Sequence, residues 1–224
     1  MERREKRSFL AAVFLVVVLS TVFAISHLAM SIRNIGPFSP VRVACVGDSI
    51  TEGFYYPNYL QDLLGANYTV GNFGAGGSTV LISSDKPYVY RSAFQEALTF
   101  NAEIIVIMLG TNDATPTYYQ QIDNFVVDYK TLINQFSVEE PQIWLVKPPP
   151  IFDDGLGPNS ANLVNGVIPR IEQVSRELDL PIIDVYTLLL SHPDYFTDGV
   201  HPTSEGAHVI AAAVYRAISY QTGL

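Results

Sequence analysis

Residues 103–113 read Glu103-Ile104-Ile105-Val106-Ile107-Met108-Leu109-Gly110-Thr111-Asn112-Asp113. Six consecutive apolar residues, four of them β-branched, form too short a run for a typical helix. They also lack the polar alternation of a strand with one face in water. The run predicts a strand covered on both sides, and such strands belong to parallel sheets sandwiched between helices. The polar turn that ends it, Gly110-Thr111-Asn112-Asp113, would emerge at the carboxyl end of the strand, where sheets of this kind bind ligands.

The same alternation extends in both directions. Short β-branched or apolar runs at 41–46, 68–73, 142–146 and 181–185 predict four more strands, the fourth in chain order stopped by Pro148-Pro149-Pro150. Helical spacing marks 58–64 (Tyr59, Leu60, Leu63, Leu64), 89–100 (Phe94, Ala97, Leu98), a long stretch at 118–136, a helix over 162–178 that carries Pro169 as a bend, and 204–220 with Ser204 as its N-cap. No hairpin turn separates these runs. The expectation is one α/β domain over 41–224.

Composition agrees with a packed domain. The chain has 224 residues, 48% hydrophobic and 16% charged, which excludes wholesale disorder. Net charge is −9, and residues 41–224 alone hold eight basic against twenty acidic side chains. An acidic globule repels nucleic acid, so no nucleic-acid partner is expected. The single cysteine, Cys45, lies in an apolar run and reads as a buried small hydrophobe.

The N-terminus differs in kind. Arg3, Arg4, Lys6 and Arg7 precede an apolar run at 9–25 that fades by residue 30. As a helix, 9–30 would extend about 33 Å, enough to cross a hydrocarbon core of about 30 Å. Basic residues before it and few after would keep the N-terminus cytoplasmic and export the rest. The expectation is a cytoplasmic stub and signal anchor at 1–30 and a Gly/Pro linker at 31–40. The rival is a cleaved signal peptide ending near Ala24-Ile25-Ser26. The globule is then membrane-anchored outside the cytoplasm or, if cleaved, secreted.

Three polar loops follow three predicted strands: Gly47-Asp48-Ser49-Ile50-Thr51-Glu52-Gly53, Asn72-Phe73-Gly74-Ala75-Gly76-Gly77-Ser78-Thr79, and Gly110-Thr111-Asn112-Asp113. A fourth element, Asp198-Gly199-Val200-His201-Pro202, precedes the last helix. Each has an ordinary structural use, as a helix cap, a tight turn or an Asx turn. Together they meet the needs of acyl transfer. Ser49 is a poor nucleophile until a base takes its proton; His201 can do so, with Asp198 fixing the tautomer and stabilising the imidazolium. Backbone N–H groups of a glycine-rich turn and the Asn112 amide can donate to an oxyanion.

In this order the motifs resemble those of the SGNH (GDSL-type) hydrolases, and the look is that of members that remove O-acetyl groups from carbohydrate. Gly47-Asp48-Ser49-Ile50-Thr51-x-Gly53 is similar to the family's nucleophile block. Asn72-x-Gly74-x-x-Gly77-x-Thr79 is similar to the second block, Gly110-Thr111-Asn112-Asp113 to the third and Asp198-x-x-His201-Pro202 to the last. The resemblance covers about residues 41–220. It implies a three-layer α/β/α sandwich with a five-stranded parallel sheet in flavodoxin-like order. It also implies Ser49, Asp198 and His201 as the catalytic triad, Ser49, Gly77 and Asn112 as the oxyanion hole, and no metal or cofactor. The Gly-x-Ser-x-Gly elbow of other α/β hydrolases is absent around Ser49. The glycine-rich loop has neither a P-loop lysine nor a dinucleotide fingerprint. His27, His192, His201 and His208 form no metal-ligand spacing, and His208 reads as a packed or surface residue.

For substrate, the tyrosines near the motifs suit sugar rings: Tyr55, Tyr56 and Tyr59, then Tyr88 and Tyr90 in Lys86-Pro87-Tyr88-Val89-Tyr90, then Tyr118 and Tyr119. Core packing is their other use. A small-acyl or acetylated-glycan ester is the expected substrate. A lysophospholipase or thioesterase, an acetyltransferase, and a catalytically silent glycan-binding module on a membrane stalk are the alternatives. Asn67-Tyr68-Thr69 is a glycosylation sequon.

Overall fold

In the computed structural model, residues 39–136, 140–153, 155 and 157–222 are described. The anchor expected at 9–30 and most of the linker lie outside them. Among the described residues no helix is long and apolar enough to cross a membrane.

Five parallel strands form one sheet: β1 (Val41–Gly47), β2 (Tyr68–Gly74), β3 (Ile104–Met108), β4 (Gln142–Lys147) and β5 (Ile182–Asp184). Their order is β2-β1-β3-β4-β5, the expected flavodoxin-like order. All five residues of β3 are buried, as its uninterrupted apolar run requires. Successive side chains of a strand face opposite ways, so each strand feeds two cores. On one face Ala44, Val46, Ile105 and Ile107 meet Phe94 of α3 (Ser92–Thr99), Phe125, Tyr129 and Leu132 of α4 (Phe125–Phe136), and Ile171 and Val174 of α5 (Ile168–Leu178). On the other, Val43, Cys45, Val106 and Met108 meet Tyr56 and Leu60 of α2 (Tyr56–Leu64), Val185 and Leu189 of α6 (Val185–Leu189), and Ala207, Ile210 and Val214 of α7 (Ser204–Thr222). Cys45 is fully buried, and burial pushes its thiol up to about 12, so it is an inert core side chain.

The elements depart from expectation in four places. The stretch expected as one helix over 118–136 is continuous only from Phe125; before it run a short turn of helix at Pro116–Tyr119 and a 3₁₀ turn at Ile122–Asn124. The Tyr119 ring packs so closely on Gly166 that a Cβ there would lie 2.3 Å from its hydroxyl. That tertiary contact, invisible to periodicity, ties the first turn to the segment before α5. Pro169 sits in the first turn of α5, where its missing N–H costs nothing, and a wide π turn at Leu163–Val167 precedes it. The last helix is capped by Thr203: its hydroxyl accepts from the Gly206 N–H at 3.4 Å and its carbonyl from Ala207 at 2.9 Å, so Ser204 is the first helical residue. Tyr56 and Tyr88 are fully buried core residues and present no ring to a sugar.

The sheet order reverses between β1 and β3. The chain leaves β1 for β2 on one side and returns to β3 on the other, opening a crevice at the carboxyl ends where α/β sheets bind ligands. The loops holding Ser49 and Asn112 both end there.

Candidate active site

Ser49 is the first residue of α1 (Ser49–Gly53), directly after β1. Asp48 caps this short helix, its carboxylate accepting from the Ile50 N–H at 3.0 Å. The turn is tight: a Cβ on Gly47 would lie 2.0 Å from Thr51 Oγ1 and 2.8 Å from the Met108 carbonyl, so only glycine lets β1 pass so close to β3 and α1.

The structure brings the three residues expected as a triad into one chain of hydrogen bonds. Ser49 Oγ lies 3.0 Å from His201 Nε2, and His201 Nδ1 lies 2.7 Å from Asp198 Oδ2. The other Asp198 oxygen accepts the N–H groups of Val200 at 3.0 Å and His201 at 2.7 Å. Burial alone would raise the Asp198 carboxyl, but these donors and the imidazole outweigh it and hold it below its ordinary value. Asp198 is therefore ionised when Nδ1 carries its proton, which leaves Nε2 free to accept from Ser49. The loop after β4 braces this element: the Phe152 N–H donates to the Gly199 carbonyl at 2.7 Å, and Phe152 packs edge-on against Phe196.

The glycine loop after β2 lies alongside. The Gly76 N–H donates to Glu52 at 2.9 Å, and a Cβ on Gly76 would come within 3.9 Å of Ser49 Cβ. Gly77 has φ +74°, a left-handed conformation in which side chains are strained. Neither the Gly77 nor the Ser49 amide donates to another group among the described residues. Two unspent N–H groups next to a hydroxyl nucleophile are what an oxyanion hole needs. The third expected donor is placed differently. The Asn112 amide donates to the Ser78 carbonyl at 3.0 Å and reaches Asp48 Oδ2 at 3.4 Å, so both of its hydrogens face protein acceptors. Giving an oxyanion a hydrogen means releasing the long Asp48 contact, the weaker of the two.

Two buried carboxyls underlie the site. Asp113, fully buried, accepts the N–H groups of Val80 at 3.0 Å and Leu81 at 2.9 Å and so ties the glycine loop to the loop after β3. Burial pushes it up to about 7, and burial pushes Asp48 up to about 6, in both cases against hydrogen bonds that favour the anion. Two contacts had no signal in residue spacing. The Phe54 ring stacks on His201 with centroids 4.8 Å apart, and Lys86 lies over Gly77, its Nζ 3.4 Å from where a Cβ would stand. Asp113 had one, since it directly follows Asn112 in a polar turn between buried segments. His208 is an exposed surface residue whose ring stacks on Tyr59 at 3.6 Å. Among the described residues no group of His, Cys, Asp and Glu could hold a metal ion.

Residues 45–209 match the profile of the GDSL-like lipase/acylhydrolase family. The chain belongs to this family. Its members are carboxylic ester hydrolases, and the matched span runs from β1 through His201 into the last helix. An acetylxylan esterase from Xylanibacter ruminicola is 33% identical over 206 residues, covering 80% of this chain and 43% of that protein. The chain thus spans less than half the length of this relative. Two solved structures share the fold. A lipase/acylhydrolase from Enterococcus faecalis aligns with TM-score 0.68 at 23% identity, covering 81% of this chain and 96% of that one. A carbohydrate acetylesterase from Sinorhizobium meliloti aligns with TM-score 0.65 at 16% identity, covering 81% and 99%.

Proposed function

We propose that this family member is a serine esterase that removes small acyl groups, acetyl foremost, from carbohydrate hydroxyls through an acyl-enzyme. The observation that carries the reading is the unbroken path from Ser49 Oγ through the His201 ring to Asp198, next to the unspent amides of Ser49 and Gly77. As Ser49 attacks the ester carbonyl, its proton passes to His201 Nε2, and Asp198 stabilises the imidazolium. The carbonyl oxygen becomes an oxyanion facing the Ser49 and Gly77 N–H groups, and Asn112 joins them by exchanging its long Asp48 contact for a short one. On collapse the imidazolium gives its proton to the leaving sugar oxygen. Water, deprotonated by the same imidazole, then releases the acid and restores Ser49.

The acetyl-carbohydrate assignment draws on the acetylxylan esterase relative, and the exposed ring of Tyr55, next in sequence to the Phe54 that stacks on His201, suits a sugar. The basic stub and apolar run of 1–30 and the linker of 31–40 support an exported catalytic domain on a membrane anchor. A panel of p-nitrophenyl esters and acetylated xylo-oligosaccharides on the full-length protein tests the reading. Acetate is expected to be hydrolysed faster than acyl chains of eight carbons or more, and acetylated oligosaccharides are expected to be deacetylated. Preference for the long chains would favour a lysophospholipase or thioesterase. Ser49→Ala and His201→Ala are each expected to lower kcat by about 10³-fold or more with the fold intact.

A further inference from the structure

The turn that joins α1 to α2 is Phe54-Tyr55, and its two residues carry aromatic rings with opposite fates. Phe54 is half-buried and lies flat on the His201 imidazole, with 19° between the ring planes. Tyr55, the next residue, is 64% exposed. Among the described residues its ring stacks on no other ring and its hydroxyl makes no hydrogen bond. Its backbone is also unusual, with φ +62° and ψ +1° in the left-handed region. That conformation is uncommon for any residue with a Cβ and an outlier for a bulky one.

The backbone has a reason to be there. The Tyr55 carbonyl accepts the N–H groups of Asn58 at 3.0 Å and Tyr59 at 3.1 Å and so opens α2. The side chain has no such reason. Glycine would hold the same turn without strain and keep the same carbonyl contacts, because the cap uses no side-chain atom. A large ring that buries little surface and strains its own backbone gains the fold almost nothing. Strained residues of this kind cluster at functional sites. This one stands a single residue from the ring that covers His201.

We propose that Tyr55 is the specificity-determining platform of the site, a ring on which a sugar residue of the acetylated substrate stacks beside Ser49 and His201. The proposal rests on the acetyl-carbohydrate reading of the site. Aromatic faces bind the C–H faces of pyranose rings as they bind other apolar surfaces, and an exposed tyrosine adds a hydroxyl for polar contact at little entropic cost. A small aryl acetate has no sugar ring to place there. The ring therefore acts on carbohydrate esters selectively, and its contribution appears in the ratio of rates between the two substrate classes.

The test compares the full-length protein with Tyr55→Gly and Tyr55→Trp on acetylated xylo-oligosaccharide and on p-nitrophenyl acetate. Tyr55→Gly is expected to lower the ratio of kcat/KM, oligosaccharide over aryl acetate, by about tenfold, chiefly through KM, as loss of one stacking partner would. Its Tm is expected to stay at or above that of the parent, because glycine relieves the left-handed strain. Tyr55→Trp is expected to restore the ratio. A ratio unchanged within about twofold in Tyr55→Gly, or a fall in its Tm that accounts for the loss, overturns the proposal while leaving the esterase reading intact. Failure of the parent protein to deacetylate the oligosaccharide overturns the carbohydrate reading, and this inference with it.

Discussion

At the scale of the residue, the site is a set of side chains whose commitments can be counted. Asn112 is the most constrained, since its amide is already shared between Ser78 and Asp48 and must release the 3.4 Å contact to serve a transition state. An interaction made only in the transition state appears in kcat, so Asn112→Ala is expected to lower kcat by about 10²–10³-fold with little change in KM. A pure KM effect would assign Asn112 to substrate binding instead. Most of this site was legible in the sequence. Ser49, Gly77, Asn112, Asp198 and His201 lie in motifs whose order points to them, and the hydrogen-bonded path from Ser49 to Asp198 is geometry that residue types alone imply. The stacking of Phe54 on His201 and the approach of Lys86 to Gly77 were not legible, because these contacts run between loops brought together only by the sheet.

At the scale of the element, the strand ends and first turns decide where these side chains point. Gly47 is the tightest example: a methyl group there would collide with Thr51 Oγ1 at 2.0 Å and with the rigid Met108 carbonyl at 2.8 Å. Gly47→Ala is expected to cost about 1–3 kcal/mol, measured as a lower urea midpoint at unchanged slope, because neither β3 nor α1 can yield freely. Solid apolar runs such as Ile104–Met108 identified the strands, since burial on both faces leaves no other way to read them. The helix expected over 118–136 shows where periodicity fails. Tyr118 and Tyr119 continue the apolar pattern, yet tertiary contacts hold them, Tyr119 on Gly166 and Tyr118 through its hydroxyl bond to Asp85. The cap of α7 falls one residue before Ser204: Thr203 and Ser204 are both competent caps, and Thr203 is the one that accepts from Gly206 and Ala207.

At the scale of the whole molecule, the carboxyls around the site fall into two classes. Asp198 has a lowered pKa and is held ionised by its partners, whereas buried Asp48 and Asp113 are raised, to about 6 and about 7. For a raised carboxyl the folded state holds its proton after the unfolded chain has released it. That contribution is full below about pH 4 and is lost as pH rises through about 6 and then 7. Unfolding free energy from urea titrations is therefore expected to decline between about pH 4 and pH 7. The decline is expected to shrink in Asp113→Asn, which also loses stability overall because its amide turns a donor towards the Val80 or Leu81 N–H. If Ser49 is the nucleophile proposed above, it can be captured covalently. The full-length protein is mixed with p-nitrophenyl acetate, quenched in acid during turnover and mapped by peptide mass spectrometry. An acetyl group is expected on the peptide containing Ser49, on Ser49 itself, and none in Ser49→Ala. Turnover with no acetylated Ser49 in a quench that traps the intermediate, or a Ser49→Ala variant that still turns over the ester, would contradict that role for Ser49.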